Sequence, residues 1–322
     1  QRESEQLFRI IRELRERGLA LVYISHRLEE LQQIADRITI LRDGRRVFSG
    51  EFASVDASAI IRHMVGREIQ ELFPRRDPPG METVLEVRGL SDPKRYRNIS
   101  FQLHRGEILG VAGLVGAGRS ALARGIFGLE PPLEGSVWLH GKPFRPESAG
   151  HAIKAGLSYL TEDRKITSLF PHLSLAYNIS MAALDKIKIG PVLRLSEEAN
   201  RCRALIEKLQ IRARSEWDPI YRLSGGNQQK SLIARWLFAG SSVLLLDEPT
   251  QGVDLAARAE IYRLMKGTVS KGGAILMISS DLPELLGISH RIMVMRRGEF
   301  VAALRAEETT QEEIMAHAAL VQ

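Results

Sequence analysis

The chain has 322 residues, of which 44% are hydrophobic and 26% are charged, a balance that is typical of globular proteins and excludes a wholly disordered chain. Its single cysteine, Cys202, excludes an internal disulfide and any zinc site built from several cysteines. The net charge of +6 fits an ordinary solvated surface, and also a basic patch that faces nucleic acid or lipid head groups.

The N-terminal segment alternates between helical and extended patterns. Apolar residues with helical spacing predict a helix over Glu5–Arg17. The apolar run Leu19–Ile24 predicts a buried strand, and a second helix is expected over Leu28–Ala35. Arg37–Arg42 and Arg45–Phe48 flank an Asp-Gly pair, which predicts a β-hairpin.

Part of this segment is repeated near the C-terminus. Residues 18–48 resemble residues 272–302 without a gap, at a constant offset of 254 positions. Identical pairs include Ile24/Ile278, Ser25/Ser279, Leu28/Leu282, Arg37/Arg291 and Gly44/Gly298. The pattern indicates a duplication and predicts that about 170 residues of a first copy precede residue 1. The chain would then hold the end of the first copy (1–74), a Pro-rich linker (75–83) and the second copy (84–322).

The second copy has the pattern of an α/β domain. Thr83–Val87 and Ile99–Leu103 alternate in hydrophobicity, as in an antiparallel edge sheet. Three near-continuous apolar runs predict parallel strands that are covered by helices on both faces: Ile108–Ala112, Val243–Leu246 and Ala274–Ile278. Residues 165–223 lack a clear strand and show helical periodicity, so we expect a helical insertion there.

A glycine-rich loop follows the first of these apolar runs and precedes a predicted helix. Its residues are Gly113, Leu114, Val115, Gly116, Ala117, Gly118, Arg119 and Ser120, and the helix begins at Ala121. Glycines let successive backbone amides turn towards a phosphate, and the helix N-terminus adds its positive dipole end. We therefore expect a nucleotide-phosphate site with Ser120 as a Mg²⁺ ligand, although a plain glycine turn has the same composition. Arg119 replaces the usual lysine with a wider, planar cation.

Two carboxylates follow the apolar run Val243–Leu246. Asp247 at the strand end suits Mg²⁺ held through water. Glu248 is placed to accept a proton from an attacking water, or to orient it. In the company of the glycine-rich loop, these residues indicate nucleotide chemistry more than an ordinary solvated loop.

The segment Leu223–Gln229 is the most specific motif of the chain. Ser224 is a good N-cap for a helix predicted over Gln228–Phe238, and Gly225 and Gly226 expose backbone amides at its positive end. The segment therefore predicts a second phosphate-facing surface, which points away from the glycine-rich loop. This interpretation requires that the Ser224 turn be exposed.

In this order, the motifs resemble the ATP-binding cassettes of the ABC transporter family, with Thr250–Asp254 as the D-loop. The run Glu162-Asp163-Arg164-Lys165 after Tyr159, together with the tandem layout, resembles the fused ATPase subunits of bacterial monosaccharide importers of the ribose, galactose, xylose or autoinducer-2 type. The resemblance implies a P-loop NTPase fold with a mixed sheet, an antiparallel β subdomain and an inserted helical subdomain. It also implies ATP and Mg²⁺ as cofactors.

In that family two cassettes meet head to tail, and each ATP lies between the phosphate loop of one cassette (113–120 in this chain) and the signature of the other (223–229 in this chain). We call the site that pairs a first-copy phosphate loop with the Ser224 signature the first composite site, and the site that contains Ser120 the second. The resemblance assigns nucleotide contacts to Gly113, Gly116, Ala117, Gly118, Arg119, Ser120, Ala121, Ser224, Gly225, Gly226, Gln228 and Asp254, catalytic roles to Glu248 and His26, and Mg²⁺ to Ser120, Asp247 and Glu162. Tyr96 and Arg97 are candidates for contact with adenine.

Three departures from the family pattern fall in the second composite site. Arg119 replaces lysine, Glu162 replaces the usual glutamine, and Ser280 stands at the repeat position that corresponds to His26. A serine hydroxyl cannot reach and polarise a γ-phosphate as an imidazole does. We therefore expect the second site to bind nucleotide and to hydrolyse it slowly or not at all, while the first site does the work.

The resemblance also implies partners. Subunits of this kind lie on the cytoplasmic face of the bacterial inner membrane, where they contact an integral-membrane permease that a periplasmic sugar-binding protein supplies. We expect Lys165–Leu184 to contact the permease, a second cassette (in the same chain or a second copy) to complete each site, and no nucleic acid to bind. The alternatives are a soluble cassette ATPase that acts on ribosomes or DNA, and a regulatory module that binds nucleotide without hydrolysis.

Overall fold

The computed structural model describes residues 2–25, 28–42, 45–56, 59, 60, 63 and 73–319. It divides into two units, one formed by Gln1–Phe73 with Asp254–Ala259 and the other by Pro74–Val253 with Glu260–Gln322. None of the described helices combines the length and the hydrophobicity that would let it cross a bilayer.

The first unit contains two helices, α1 (Arg2–Glu16) and α2 (Leu28–Ile34), and a hairpin of β1 (Arg37–Arg42) and β2 (Arg45–Glu51). The strands are antiparallel, and the inward side chains of β1 pack in a small apolar cluster. Both predicted helices and the predicted hairpin are confirmed.

The strand predicted over Leu19–Ile24 is wrong. These residues have no regular secondary structure, and the side chains of Val22 and Ile24 are 93% and 92% exposed. The repeat-related run Ala274–Ile278 is a strand because it pairs with a parallel strand on each side. Among the described residues of the first unit, no parallel strand lies beside Leu19–Ile24, so its backbone amides have no ladder to join.

The second unit contains twelve strands and eight α-helices in its described part, besides short 3₁₀- and π-helical turns. The strands are β3 (Thr83–Asp92), β4 (Tyr96–His104), β5 (Ile108–Gly113), β6 (Glu134–Leu139), β7 (Lys142–Phe144), β8 (Leu157–Leu160), β9 (Lys188–Ile189), β10 (Val192–Leu193), β11 (Val243–Asp247), β12 (Ala274–Ile278), β13 (Arg291–Arg296) and β14 (Glu299–Arg305). The helices are α3 (Arg119–Phe127), α4 (Ala149–Lys154), α5 (Leu175–Ser180), α6 (Leu195–Lys208), α7 (Gly225–Ala239), α8 (Leu255–Val269), α9 (Leu282–Ile288) and α10 (Gln311–Ala319). The first residues of α8 are grouped with the first unit.

The central sheet has six strands in the order β14-β13-β5-β12-β11-β8. All neighbours are parallel except β13 and β14, so the sheet is mixed. Every residue of β8, β11 and β12 is buried, which explains why these strands read as continuous apolar runs. The predicted α/β class is confirmed, and the carboxyl ends of β5 and β11 meet at one edge of the sheet.

A second, antiparallel sheet has the order β4-β3-β6-β7. Its inward residues, such as Leu85 and Leu103, share one core cluster with Leu109 of β5 and with Leu122 and Ile126 of α3. All five side chains are fully buried. The shared core fixes α3, and therefore the loop before it, against both sheets.

The predicted helical insertion contains α5, α6 and the two-residue strands β9 and β10. A buried arginine joins it to α7. Arg235 Nε donates to the Asn178 carbonyl at 2.7 Å, and its Nη1 donates to the Ser168 carbonyl at 2.8 Å. Burial lowers the pKa of Arg235 to about 10. The hydrogen bonds of the cation thus connect α7 to two backbone carbonyls and to the Asn178 side chain.

The predicted linker is grouped with the second unit. Arg76 donates to the Ser289 carbonyl. His290 Nδ1 accepts a hydrogen bond from the Ile108 amide at 3.0 Å, so the neutral ring carries its proton on Nε2, which lies 2.9 Å from the Asp77 carbonyl. The linker is thus held at the end of β5 that lies opposite the glycine-rich loop.

Candidate functional site

The glycine-rich loop connects β5 to α3, as predicted. A Cβ atom on Gly113 would lie 2.4 Å from the Met295 carbonyl oxygen, and one on Gly118 would lie 2.4 Å from the Arg95 carbonyl oxygen. Gly118 also has φ of +102°, which glycine adopts without strain. The loop therefore follows its path only with glycine at these two positions.

The first amides of α3 point out of the helix. The first intrahelical hydrogen bond runs from the Leu122 amide to the Gly118 carbonyl at 2.9 Å, so the amides of Arg119, Ser120 and Ala121 precede it. The amide of Ala117, in contrast, donates to the Leu114 carbonyl at 3.0 Å. Backbone donors at a helix N-terminus, where the dipole is positive, form an anion site.

Asp247 lies at the end of β11, beside this loop, and is completely buried. Its Oδ2 accepts a hydrogen bond from the Tyr159 hydroxyl at 3.0 Å, while its buried Oδ1 has no partner in the described structure. Burial raises the pKa of Asp247, and the hydroxyls of Ser120 and Tyr159 oppose that shift. A buried carboxylate that lies beside Ser120 and has one oxygen without a partner fits a Mg²⁺ ion or one of its waters.

The described residues contain no cluster of three or more His, Cys, Asp or Glu side chains that could hold a metal ion. This finding agrees with the way Mg²⁺ is usually bound at nucleotide sites, through one or two protein oxygens together with phosphate oxygens and waters. Glu162 is exposed just after β8, and its negative charge contributes to the raised pKa of Asp247. The structure therefore places Ser120, Asp247 and Glu162 in one neighbourhood, and their role as metal ligands stays a prediction.

Glu248 is held on both carboxylate oxygens by residues of the same unit. Arg119 Nη2 lies 3.8 Å from its Oε1, and Ser280 Oγ donates to its Oε2 at 3.1 Å. Arg119 Nη1 donates to the Ser279 carbonyl at 2.7 Å. The side chains of Arg119 and Glu248 are 10% and 9% exposed, so this is a largely desolvated ion pair. Burial raises the pKa of Glu248, and the cation of Arg119 opposes that shift.

Arg119, which the resemblance assigns to the nucleotide, contacts other groups of its own unit in this structure, and its contact with nucleotide stays a prediction. The two terminal nitrogens of its guanidinium contact the Ser279 carbonyl and the Glu248 carboxylate. A lysine side chain is shorter and has one terminal nitrogen, so it would not contact both groups in the same way. Ser280 does not only lack the imidazole of a histidine. Its hydroxyl also donates a hydrogen bond to the carboxylate of Glu248. Of the three residues that depart from the family pattern, Arg119 and Ser280 both contact Glu248.

Ser224 is exposed, as the predicted signature surface requires, whereas Gly225 is half-buried and Gly226 is buried. The Ser224 side chain caps α7 and accepts from the Asn227 amide. Gly225 and Gly226 form the first turn of α7, and a Cβ on Gly225 would lie 2.8 Å from Arg164 Nη2. The turn thus presents backbone amides at a helix N-terminus that a second nucleotide could reach.

Two predicted nucleotide contacts have other partners. The side-chain Nε2 of Gln228 donates to the carbonyls of Leu223 at 3.1 Å and Ile220 at 3.3 Å, so this side chain holds the residues that precede the signature turn. The Asp254 carboxylate accepts from the Ala257 amide at 3.0 Å and caps α8. Their contacts with nucleotide stay predictions, and His26 lies outside the described residues.

Sequence reasoning missed three residues and misplaced one. Tyr159 orients Asp247, Ser279 receives Arg119, and Arg164 contacts the signature turn. Tyr96 is buried in the core and cannot stack on an adenine, contrary to the expectation. Strict alternation in β4 does not reveal this, because Tyr96 is out of phase with the inward residues Ile99 and Phe101. An irregularity at Asn98, whose φ is +50°, turns Tyr96 into the core.

Comparison with known proteins agrees with this geometry. Residues 96–251 match the family model described as ABC transporter. The chain is 47% identical over 316 residues to the ribose import ATP-binding protein RbsA 1 of Rubrobacter xylanophilus, covering 98% of this chain and 63% of that protein. It is 43% identical to the ribose import ATP-binding protein RbsA of Oceanobacillus iheyensis, covering 98% of this chain and 64% of that protein. The chain thus spans less than two thirds of the length of these relatives.

Solved structures support the fold. Part of the ABC transporter complex cbiONQ, cbiO1 from Clostridium perfringens, superposes with a TM-score of 0.61 at 22% identity, over 73% of this chain and 93% of that chain. A dimeric bacterial ABC transporter cassette gives a TM-score of 0.60 at 19% identity, over 69% of this chain and 99% of that chain. These superpositions show the fold of an ATP-binding cassette, and the family match over residues 96–251 shows that the chain carries a cassette of the ABC transporter family.

Proposed function

We propose that this chain is part of an ATP-binding subunit that drives the import of a sugar of the ribose or galactose type. The observation that carries the proposal is the presence in one unit of two separate phosphate-facing turns, the loop before α3 and the exposed Ser224 turn before α7. A nucleotide bound by the first loop needs a second cassette to meet a signature turn. The names of the relatives supply the class of transported solute.

The head-to-tail pairing of two cassettes would give each residue of the site a defined role. In the second composite site, the amides that precede Leu122 would bind phosphate, and Ser120 with Asp247 would hold Mg²⁺, with Glu162 nearby. When bound, Mg²⁺ would neutralise charge on the phosphate oxygens. Tyr159 keeps the Asp247 carboxylate turned towards that position, and Glu248 is the group that would accept a proton from the attacking water.

The contacts of Glu248 support slow hydrolysis in the second composite site. A general base must reach the water whose proton it accepts, and here both carboxylate oxygens are engaged by Arg119 and Ser280. The same contacts divert Arg119 from the phosphate. The first composite site, which would combine the Ser224 signature with a first-copy phosphate loop and His26, would then carry most of the turnover.

A hydrophobic strip supports contact with an integral-membrane permease. Within the predicted contact segment, the side chains of Ile166, Phe170, Leu173 and Tyr177 are exposed, and that of Ile166 is 82% exposed. Adjacent exposed apolar side chains are typical of an interaction surface. The permease would place the subunit on the cytoplasmic face of the bacterial inner membrane, and a periplasmic sugar-binding protein would be an indirect partner.

One alternative has an observation in its favour. The contacts of Glu248 with Arg119 and Ser280 would suit a cassette that binds nucleotide for regulation and never hydrolyses it.

The ATPase activity of the pair of cassettes distinguishes slow hydrolysis from a purely regulatory role. Glu248→Gln should leave most of the activity, whereas the equivalent substitution in the first cassette should abolish it. Equal losses would contradict the asymmetric arrangement.

The transport role has its own test. We expect affinity purification of the full-length protein from detergent-treated membranes to recover an integral-membrane permease, identified by mass spectrometry. Recovery with ribosomes or DNA in place of a permease would refute the transport role and favour a soluble cassette ATPase.

A further inference from the structure

Arg164 projects from a short irregular helix that follows β8. The Asp163 carboxylate begins this helix by accepting hydrogen bonds from the amides of Lys165 at 3.0 Å and Ile166 at 3.1 Å. The turn over Arg164–Ser168 is a π-helix, a form that is rare and often found at functional sites. Arg164 is the first residue of this turn, and Asp163 is its N-cap.

The guanidinium of Arg164 joins two motifs. Its Nη1 donates to the Gln251 carbonyl at 3.0 Å, and its Nη2 donates to the Gly252 carbonyl at 3.2 Å. The same Nη2 lies so close to Gly225 that a Cβ there would approach it to 2.8 Å. Arg164 therefore packs on the first residue of the signature helix and holds the D-loop turn beside it.

The charge of Arg164 is not neutralised by these contacts. Both acceptors are carbonyl oxygens, and the buried Nε has no partner in the described structure. Burial lowers the pKa of Arg164, and the nearby Asp163 carboxylate opposes that shift. A cation at a helix N-terminus is also repelled by the helix dipole. Both costs are offset when an anion docks on the same turn.

We infer that Arg164 is a positioning residue for the nucleotide phosphate that an opposing cassette presents to the Ser224 turn. It holds Gly225 and the Gln251–Gly252 turn in register and adds positive charge behind the signature amides. The inference rests on the proposed head-to-tail pairing of cassettes, and it adds a side chain to a surface otherwise made of backbone groups.

Nucleotide-dependent association of two copies of the chain tests this inference. In such a pair, the loop before α3 of one copy would face the Ser224 turn of the other. We would measure the association constant by sedimentation with Mg²⁺ and a non-hydrolysable ATP analogue. The affinity of the dilute monomer for a fluorescent ATP analogue and the melting temperature would be measured in parallel. The variants are Arg164→Ala, Arg164→Lys and a control, Arg201→Ala, which removes an exposed arginine paired with Glu197 on α6.

We expect Arg164→Ala to weaken association roughly tenfold to a hundredfold, because charge-assisted hydrogen bonds and a positive charge are lost, while monomer nucleotide affinity stays unchanged. Arg164→Lys should recover part of the loss, since it keeps the charge but not the two-carbonyl fork. Arg201→Ala should behave as the unsubstituted chain.

Association of Arg164→Ala at the unsubstituted strength would overturn the inference alone. A parallel loss of monomer nucleotide affinity and melting temperature would overturn it in favour of a structural role. If the unsubstituted chain fails to associate with nucleotide at all, the head-to-tail pairing is refuted, and the inference falls with it.

Discussion

Replacing Arg119 with lysine and Ser280 with histidine should convert the second composite site into an active one. In the structure, Arg119 Nη2 lies 3.8 Å from Glu248 Oε1, with both side chains about nine-tenths buried. At an effective dielectric constant of about 20, this attraction is about 4 kcal/mol before desolvation is subtracted. An attacking water must compete with that cation, and with the Ser280 hydroxyl, for the carboxylate.

The double variant removes both competitors and restores two donors towards the phosphate. One donor that acts in the transition state is worth about 2.7–4 kcal/mol, so we expect hydrolysis in this site to rise about a hundredfold or more. Each single substitution should give less than half of that gain in free energy, because these groups act as a unit. The assay is phosphate release at saturating MgATP from paired copies of the chain.

Two controls fix the interpretation of that assay. Adding Glu248→Gln to the double variant should remove the gain, which would locate the new activity in this site. Ser280→Ala, which frees the carboxylate without adding an imidazole, should raise the rate only slightly. If the double variant binds nucleotide normally and its rate stays within about twofold of the unsubstituted chain, the explanation from Arg119 and Ser280 is refuted.

Three further substitutions have definite expected outcomes. Gly118→Ala should abolish binding of a fluorescent ATP analogue and lower the melting temperature, because the added Cβ would lie 2.4 Å from the Arg95 carbonyl oxygen; normal binding would refute the need for glycine there. Asp247→Asn should abolish Mg²⁺-dependent nucleotide binding yet raise the melting temperature at neutral pH. Burial raises the pKa of Asp247 in the folded chain, so its contribution to stability is present at acidic pH and lost as pH rises through that folded pKa. Thermal scans that start near the ordinary aspartate pKa of about 4 should therefore show the benefit of asparagine growing with pH until the folded pKa is passed, and a difference that stays constant from that starting pH upwards would contradict this account. Ser224→Ala should cost about 1 kcal/mol of stability through the lost cap and should weaken nucleotide-dependent association, whereas monomer nucleotide affinity should not change.

Much of the second unit could be predicted because its signals are local. The parallel strands are buried on both faces, so each of them is an unbroken run of apolar residues. The N-cap at Ser224 depends only on a contact with Asn227, three residues further along the chain. The strand predicted at Leu19–Ile24 failed because a parallel strand depends on its neighbours, and an apolar run does not reveal whether they are present.

The details of the site could not be predicted for a related reason. The partners of Arg119 lie at Ser279 and Glu248, more than a hundred residues along the chain, and the direction of a long side chain depends on which acceptors the fold brings within reach. Likewise, nothing local indicates that Arg164 contacts Gly225 rather than solvent. Motifs identified the correct loops, whereas the hydrogen bonds between those loops required the tertiary structure.

The Arg235 clamp has a mechanical consequence. Its hydrogen bonds to Asn178 and Ser168 tie α7 to the helical insertion through a desolvated cation, and separating them would leave that cation without acceptors. We therefore expect the helical insertion and α7 to move as one rigid body. A displacement of the exposed strip near Ile166 would then move the Ser224 end of α7 as well.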